Sequence, residues 1–293
     1  MRVLVVGLGI QGQKRKDHLG DDFIAAVDPI NKKAQYKDIK KVPIDIFDAA
    51  MVCVPDDQKN KIIEYLISKK KHILVEKPFF LDPKKIDDNL VFYTAYNHRF
   101  EPYIQYAKQK IDSGILGQIY WCRIFYGNGT AALVKSSLWR DQKTGVVMDL
   151  GSHILDIVHY LFNSYFLNFE ITSLNRFENK APDHVVFINK KTRPNFYLEA
   201  SLLSWKNTFT VDIIGEQGSL HIDSLCKWGG STFTYRKRKM PSGIPYEESI
   251  YTNQPDPTWE KEYQYFKSLC LLKQNYDFKK DLWIHRTLEN LCL

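Results

Sequence analysis

Paired cysteines are missing from this sequence. Cys53, Cys122, Cys226, Cys270 and Cys292 are scattered singly among 293 residues. That argues against a disulfide framework or a thiolate zinc centre and for a reducing compartment. Long apolar runs are missing too. The N-terminal "VLVVGLGI" is too short and too glycine-rich for a signal peptide or a membrane span, so the expectation is a cytoplasmic protein with no membrane partner. No internal repeat or low-complexity segment is visible. Neither sign of charge dominates: 41 Lys and Arg face 34 Asp and Glu, a net charge of +7. The densest basic clusters, "SKKK" (68–71) and "YRKRK" (235–239), lack the interleaved glycines and aromatics of a nucleic-acid module. No nucleic-acid partner is expected. Outside one stretch discussed below, His, Asp and Glu do not cluster at ligand spacing, so no metal is expected.

What is present is patterned hydrophobicity, at 44% of residues, over a length that fits one large or two ordinary domains. "RVLVV", "DFIAAVDP", "AAMVCVP", "HILVEKP" and "LVFYTAYNHRF" are apolar runs of the kind found in buried parallel strands. "QKNKIIEYLISKKK" among them has helical spacing. Strand, helix and strand repeating over the first hundred residues predict a doubly wound parallel sheet, an α/β fold. The character then changes. "IYWCRIFYG", "FEITSLNRF", "DHVVFINK", "NFYLEASLLSW" and "TFTVDIIGEQGSLHID" alternate apolar and polar residues, as strands of an antiparallel sheet with one covered face do. "GEQG" reads as a hairpin turn, and the tail from Thr258 reads as helical. The expected organisation is a dinucleotide-binding domain at 1–100 and an α+β domain at 101–293, whose helical tail is 258–293.

The first strand runs into Gly7, Gly9 and Gly12, a G-x-G-x-x-G turn that carries Ile10 and Gln11 and opens a helix. Asp28 follows at the end of the second strand. In that context the glycines permit a tight turn and let backbone N–H groups approach a pyrophosphate, while Asp28 accepts the ribose hydroxyls. An acid there repels a 2′-phosphate, which favours NAD. Lys14, Arg15 and Lys16 could rescue such a phosphate, so NADP stays open.

"VVMDLGSHILD" (146–156) is the unusual stretch: Asp149, His153 and Asp156 on an otherwise apolar segment. On a helix these spacings place all three near one face. Polar groups there are costly to bury without a use. A lone histidine in such a place is more often a satisfied core residue, and His159 and Asp156 keep that structural reading.

With "HILVEKP", "YNHRF", "WRD" and "VVMDLGSHILD" in this order behind the glycine turn, the chain resembles the glucose–fructose oxidoreductase and inositol dehydrogenase family nearly end to end. The resemblance implies a Rossmann domain followed by an open-faced, mainly antiparallel sheet domain. It implies an oxidoreductase of sugars or sugar nucleotides, with a setting in surface-polysaccharide or unusual-sugar biosynthesis. It also carries residues over. Lys77 of "EKP" reaches the reacting hydroxyl, its Pro78 commonly following a cis peptide. Asp149 and His153 complete the catalytic set. Glu76, Lys77, Asn97 and Pro55 join the turn residues at the cofactor. Tyr96, Arg99, Trp139 and Arg140 are assigned to substrate, although either arginine could be an ordinary ion-pair partner. Alcohol oxidation fits these side chains: His153 takes the hydroxyl proton, and the Lys77 cation stabilises the alkoxide.

The chain also departs from the family. The stretch between Asp28 and the third strand is short, the helix before "YNHRF" is reduced, and Lys59 replaces the histidine of a "TPNxxH" segment. Shortening leaves sheet surface to be covered by something else, another subunit being one candidate. The open sheet face likewise predicts a homodimer or homotetramer. Alternatives remain: a glycosidase using transient NAD-dependent oxidation, a biliverdin reductase of the same fold, or a nucleotide-binding regulatory subunit without turnover.

Overall fold

A computed structural model describes the chain apart from residues 80–88, 138–139, 143, 165–166, 275, 277 and 293. The chain forms two compact units. The first comprises Met1–Asn97 and Pro257–Leu282, the second His98–Asp256 and Trp283–Leu293. The break near residue 100 lies where the sequence pattern changes. The tail differs from its expected assignment to the second domain, because its first helix returns to the N-terminal unit.

In the first unit the five apolar runs are five parallel strands: β1 (Val3–Val6), β2 (Phe23–Val27), β3 (Ala49–Val52), β4 (His72–Glu76) and β5 (Phe92–Ala95). Their order is β2-β1-β3-β4-β5. Alternation along each strand sends side chains to opposite faces. On one face Leu4, Val6, Ala50 and Val52 pack with Ile63 and Leu66 of helix α2 (Asp56–Ser68). On the other, Val3, Val5, Met51 and Tyr93 pack with Tyr263, Phe266 and Leu269 of α6 (Thr258–Leu272). Each fully buried Val, Leu, Ile, Phe or Met among them contributes about 1.5–3 kcal/mol of transfer free energy. Helix α6, from far along the chain, therefore covers the sheet face opposite to α2.

Polar contacts fix α6 in place. Glu262, fully buried, accepts the Nη1–H of Arg15 from helix α1 (Ile10–Asp17) at 2.5 Å, and Arg15 Nε donates to Glu76 Oε1 at 2.8 Å. Asp22 accepts from Lys267 at 2.6 Å, from the Tyr263 hydroxyl and from the chain's N-terminal amine at 3.0 Å. Burial alone would raise the Asp22 carboxyl; these three donors overcome it and hold the pKa at about 2.

The second unit is built on an eight-stranded sheet. Its strands are β6 (Ile119–Gly127), β7 (Glu170–Asn175), β8 (His184–Asn189), β9 (Asn195–Ser201), β10 (Thr208–Gly215), β11 (Gly218–Asp223), β12 (Ser231–Lys237) and β13 (Tyr246–Thr252). The order is β13-β12-β11-β10-β6-β9-β8-β7, and every neighbouring pair except β6 with β9 is antiparallel. "GEQG" joins β10 to β11 as expected. The strands β12 and β13 are additional to the expected set. One face is core, with Cys122, Ile124, Phe196, Leu198, Phe209, Val211 and Ile213 buried. The other carries a row of paired polar and aromatic residues, among them Tyr197, Arg123, Asp212 and His221.

Candidate active site

In the first unit the glycine turn has the geometry that its sequence context predicts. Gly7 has φ +89° and lies so close to β3 that an added Cβ would sit 2.6 Å from the Cys53 carbonyl oxygen. At Gly12 a Cβ would fall 1.8 Å from the Gly7 carbonyl oxygen, so α1 can close onto the strand only as glycine. Gly9 is different: nothing lies within 4 Å of where its Cβ would be. It is the N-cap of α1, has no side chain to cap with, and is followed by Ile10 and Gln11, both exposed. The first-turn N–H groups thus face open space at the positive end of a helix dipole. The turn follows β1, and Pro55, the N-cap of α2, follows β3. Those two strands are the point where this sheet's order reverses, the position at which open α/β sheets bind ligands. These features fit a dinucleotide pyrophosphate, which a side chain at Gly9 would obstruct.

Asp28 closes the turn. Its Oδ2 accepts the Leu8 N–H at 2.8 Å, and its Oδ1 accepts those of Ile30 and Asn31 at 2.8 and 2.7 Å. Burial pushes this carboxyl up, but the three N–H bonds outweigh it and lower its pKa. Asp28 is therefore a fixed negative charge, with bonds to the turn that its expected ribose role did not include. Arg15 cannot serve a 2′-phosphate. It is buried between Glu76 and Glu262 and lies 4.4 Å from the Trp259 ring centroid. Lys14 and Lys16 lie over the rings of Trp259 and Phe23.

The "EKP" segment ends β4, and the Lys77–Pro78 peptide is cis. Lys59, which replaces the family's histidine, is buried and supports this segment. Its ammonium donates to the Glu76 carbonyl at 2.8 Å and pairs with Asp56 at 2.6 Å. Asn97 is buried and donates to the Thr258 hydroxyl at 2.7 Å. Tyr96, expected at the substrate, is only 2% exposed and has the Lys280 ammonium over its ring. Its unit's packing explains that position.

In the second unit Asp149 lies in a π-helical turn, Val147–Gly151, which continues into helix α5 (Ser152–Phe162). A π-turn carries an extra residue per turn, which shifts Asp149 relative to the α-helical face that His153 and Asp156 share. Asp149 stays 38% exposed and meets Arg140 at 3.4 Å. Asp156 is buried and bonded by both Nε and Nη2 of Arg99, a forked ion pair that occupies Arg99. Arg99 is thereby a counter-ion of α5. His153 is buried with its ring centroid 4.0 Å from that of His98 and 6.2 Å from that of Tyr126. Trp139 lies outside the described residues.

Two residues here carried no signal of their own in the sequence. Lys227, in the 3₁₀ turn Cys226–Trp228, places Nζ 2.9 Å from His98 Nε2 and 3.0 Å from the Tyr126 hydroxyl. Tyr126, on β6, has its pKa raised by burial and further by the charge of Asp149. Neither lies in a motif, and a strand–turn packing brings them to His98 and His153. Glu101, Cys226 and Asp256 likewise converge from distant positions, with ligand-type atoms within 4.8 Å of one another. Glu101 is already bonded there, accepting the Cys226 N–H and the thiol at 2.8 Å each.

Comparison with known proteins agrees with this architecture. Residues 1–100 match the model of an oxidoreductase family with an NAD-binding Rossmann fold, and residues 104–221 match the GFO/IDH/MocA C-terminal domain. Glucose-6-phosphate 3-dehydrogenase of Bacillus subtilis is 28% identical over 137 residues, 42% of this chain and 39% of that protein. That match spans less than half of the relative's length. The scyllo-inositol 2-dehydrogenase (NAD(+)) of the same organism is 24% identical over 265 residues, 77% of this chain and 74% of that one. Among solved structures, levoglucosan dehydrogenase in complex with NADH shares the fold at a TM-score of 0.82 and 17% identity, covering 99% of this chain and 97% of that one. An oxidoreductase from Agrobacterium radiobacter in complex with NAD+, L-tartaric acid and magnesium gives 0.79 at 15% identity, covering 99% and 94%. With both unit types matched in order behind a glycine turn that fits a dinucleotide, this chain belongs to the GFO/IDH/MocA family of NAD-binding oxidoreductases.

Proposed function

We propose that the chain is an NAD-dependent dehydrogenase or reductase acting on a secondary hydroxyl or ketone of a sugar or sugar nucleotide. The observation that carries this reading is the glycine turn: Gly12 where no side chain fits and Gly9 beside open space, at the reversal of strand order. Gly7, Gly9, Ile10, Gln11, Gly12, Asp28, Pro55, Glu76 and Asn97 are the residues proposed to hold the dinucleotide. When bound, NAD+ supplies the hydride acceptor. His153 accepts the hydroxyl proton, imidazole being the side chain whose ordinary pKa suits that transfer near neutral pH. Lys77 supplies a cation for the developing alkoxide, which is an electrostatic contribution of several kcal/mol in a water-poor site. Asp149, partly exposed, accepts a neighbouring sugar hydroxyl, with Arg140 holding its carboxylate.

The proposed setting is unusual-sugar or surface-polysaccharide biosynthesis, supported by family analogy alone. We also expect a homodimer or homotetramer assembled through the row that includes Tyr197, Arg123, Asp212 and His221. Light scattering showing only monomer at micromolar concentration would overturn that assembly. For the membrane, the described residues include no helix long and apolar enough to cross one.

The test is calorimetric titration with NAD(H) and NADP(H), followed by absorbance at 340 nm over a panel of sugars, polyols and sugar nucleotides. NAD(H) should bind more tightly than NADP(H), with turnover on at least one panel member. Binding without turnover across the panel would shift the reading to a regulatory subunit or to transient oxidation. No binding of either nucleotide would overturn the proposal.

A further inference from the structure

The second unit places a lysine against His98, the ring that packs on the imidazole the proposed chemistry uses, and the surrounding residues hold it there. Lys227 follows Cys226, whose backbone N–H and thiol are both bonded to the Glu101 carboxylate at 2.8 Å. Glu101 is itself buried at the N-cap of helix α3 (Pro102–Asp112), so the turn carrying Lys227 is tied to a fixed helix end. The ammonium then reaches back over two aromatic rings, 4.7 Å from the Trp228 centroid and 5.4 Å from that of Tyr126. It bonds to His98 Nε2 at 2.9 Å and to the Tyr126 hydroxyl at 3.0 Å.

An ammonium has donors and no lone pair. A Lys227 ammonium donating across this contact has His98 Nε2 as acceptor, which places the His98 proton on Nδ1. The same ring lies 4.0 Å from His153, centroid to centroid and tilted by 43°, and Tyr126 sits edge-on to His98 at 5.4 Å. Fixing the His98 ring fixes one wall of the space in which the His153 ring must sit. A buried imidazole whose wall can rotate or change tautomer loses the alignment that proton transfer needs.

We propose that Lys227 is a positioning residue for His153, acting through His98, with Glu101 setting the turn from which it reaches. This rests on the assignment of His153 as proton acceptor, but its structural half can be tested without substrate or cofactor. Long-range 1H–15N correlation spectra of protein labelled at its eight histidines report the tautomer of each ring. The His98 signals are identified by their loss in His98→Gln. In the wild-type protein at neutral pH, His98 should show a protonated Nδ1 and an unprotonated Nε2. In Lys227→Met that pattern should collapse towards a tautomer mixture, and the His153 signals, identified through His153→Gln, should move with it.

In turnover, Lys227→Met should lower kcat by about ten- to a hundredfold with KM and NAD(H) affinity within about threefold, the pattern of a lost transition-state alignment. Lys227→Arg, which keeps a cationic donor, should recover most of the rate. An Nε2–H or doubly protonated His98 in the wild-type protein would overturn the proposal, a result that needs no variant of Lys227 to fold. A normal tautomer pattern and kcat in Lys227→Met would also overturn it. If the spectra behave as expected and no panel compound turns over, the dehydrogenase reading fails and the Lys227–His98 coupling stands.

Discussion

His153→Ala should lower turnover by about 10²- to 10⁴-fold while NAD(H) affinity changes by no more than about twofold, the range expected for removing a general base. The asymmetry follows from placement. His153 lies in the second unit, against His98 and Tyr126, whereas the dinucleotide turn is in the first. Because the ring is buried, alanine also leaves a cavity, which costs stability as large-to-small core changes do. Thermal melting must therefore accompany the kinetics, and His153→Gln, closer in volume, should reproduce the loss of turnover with less loss of stability. Calorimetry on each variant separates the effects. Equal loss of turnover and nucleotide affinity, in protein that melts normally, would remove His153 from the chemistry and leave it as a core histidine.

Arg15→Met should destabilise the first unit by about 3–5 kcal/mol, the usual cost of stranding a buried charge. Glu262 is fully buried, and its Oε2 is bonded to Arg15 at 2.5 Å while its Oε1 accepts from Tyr93 at 3.3 Å. Burial alone would push the guanidinium pKa down; Glu262 and then Glu76 more than reverse this, so its folded pKa is raised. The sign is simple. A raised cation contributes fully below its unfolded pKa, which for arginine lies above about 12, so no accessible pH removes this contribution. Adding Glu262→Gln should recover part of the loss, since the stranded charge goes with its partner. Denaturant titration of the single and double variants measures both. A single variant within about 1 kcal/mol of wild type would mean that water or a neighbouring cation satisfies Glu262. A surface role for Arg15 would then have to be reconsidered.

Three consecutive basic residues after a glycine turn look alike in sequence, and a nucleotide phosphate was one plausible partner. Arg15 turns inward because residue 262, nearly 250 positions later, supplies an acid on a helix packed against the same sheet. Nothing local announces that pairing. Lys59 is similar: the departure from the family was visible, but its bond to the Glu76 carbonyl was not.

What the sequence determined by itself is what depends on local spacing. Period-two and near-continuous apolar runs specified the five parallel strands and most of the second sheet, because side-chain direction alternates along any strand. The glycine pattern specified the turn, because only glycine fits at Gly7 and Gly12. Short runs such as "STFTYRK" and "YEESIYT", which are β12 and β13, lacked a strong apolar alternation and became strands through pairing of β12 with β11 and of β13 with β12. Tertiary structure alone decided which polar groups meet. It placed Asp149 in a π-turn, paired Arg99 with Asp156, returned α6 to the first unit, and brought Lys227 and Tyr126 to His98. The physical reason is that a buried polar group must find its partner wherever the packed chain presents one, at a sequence distance that no local pattern encodes.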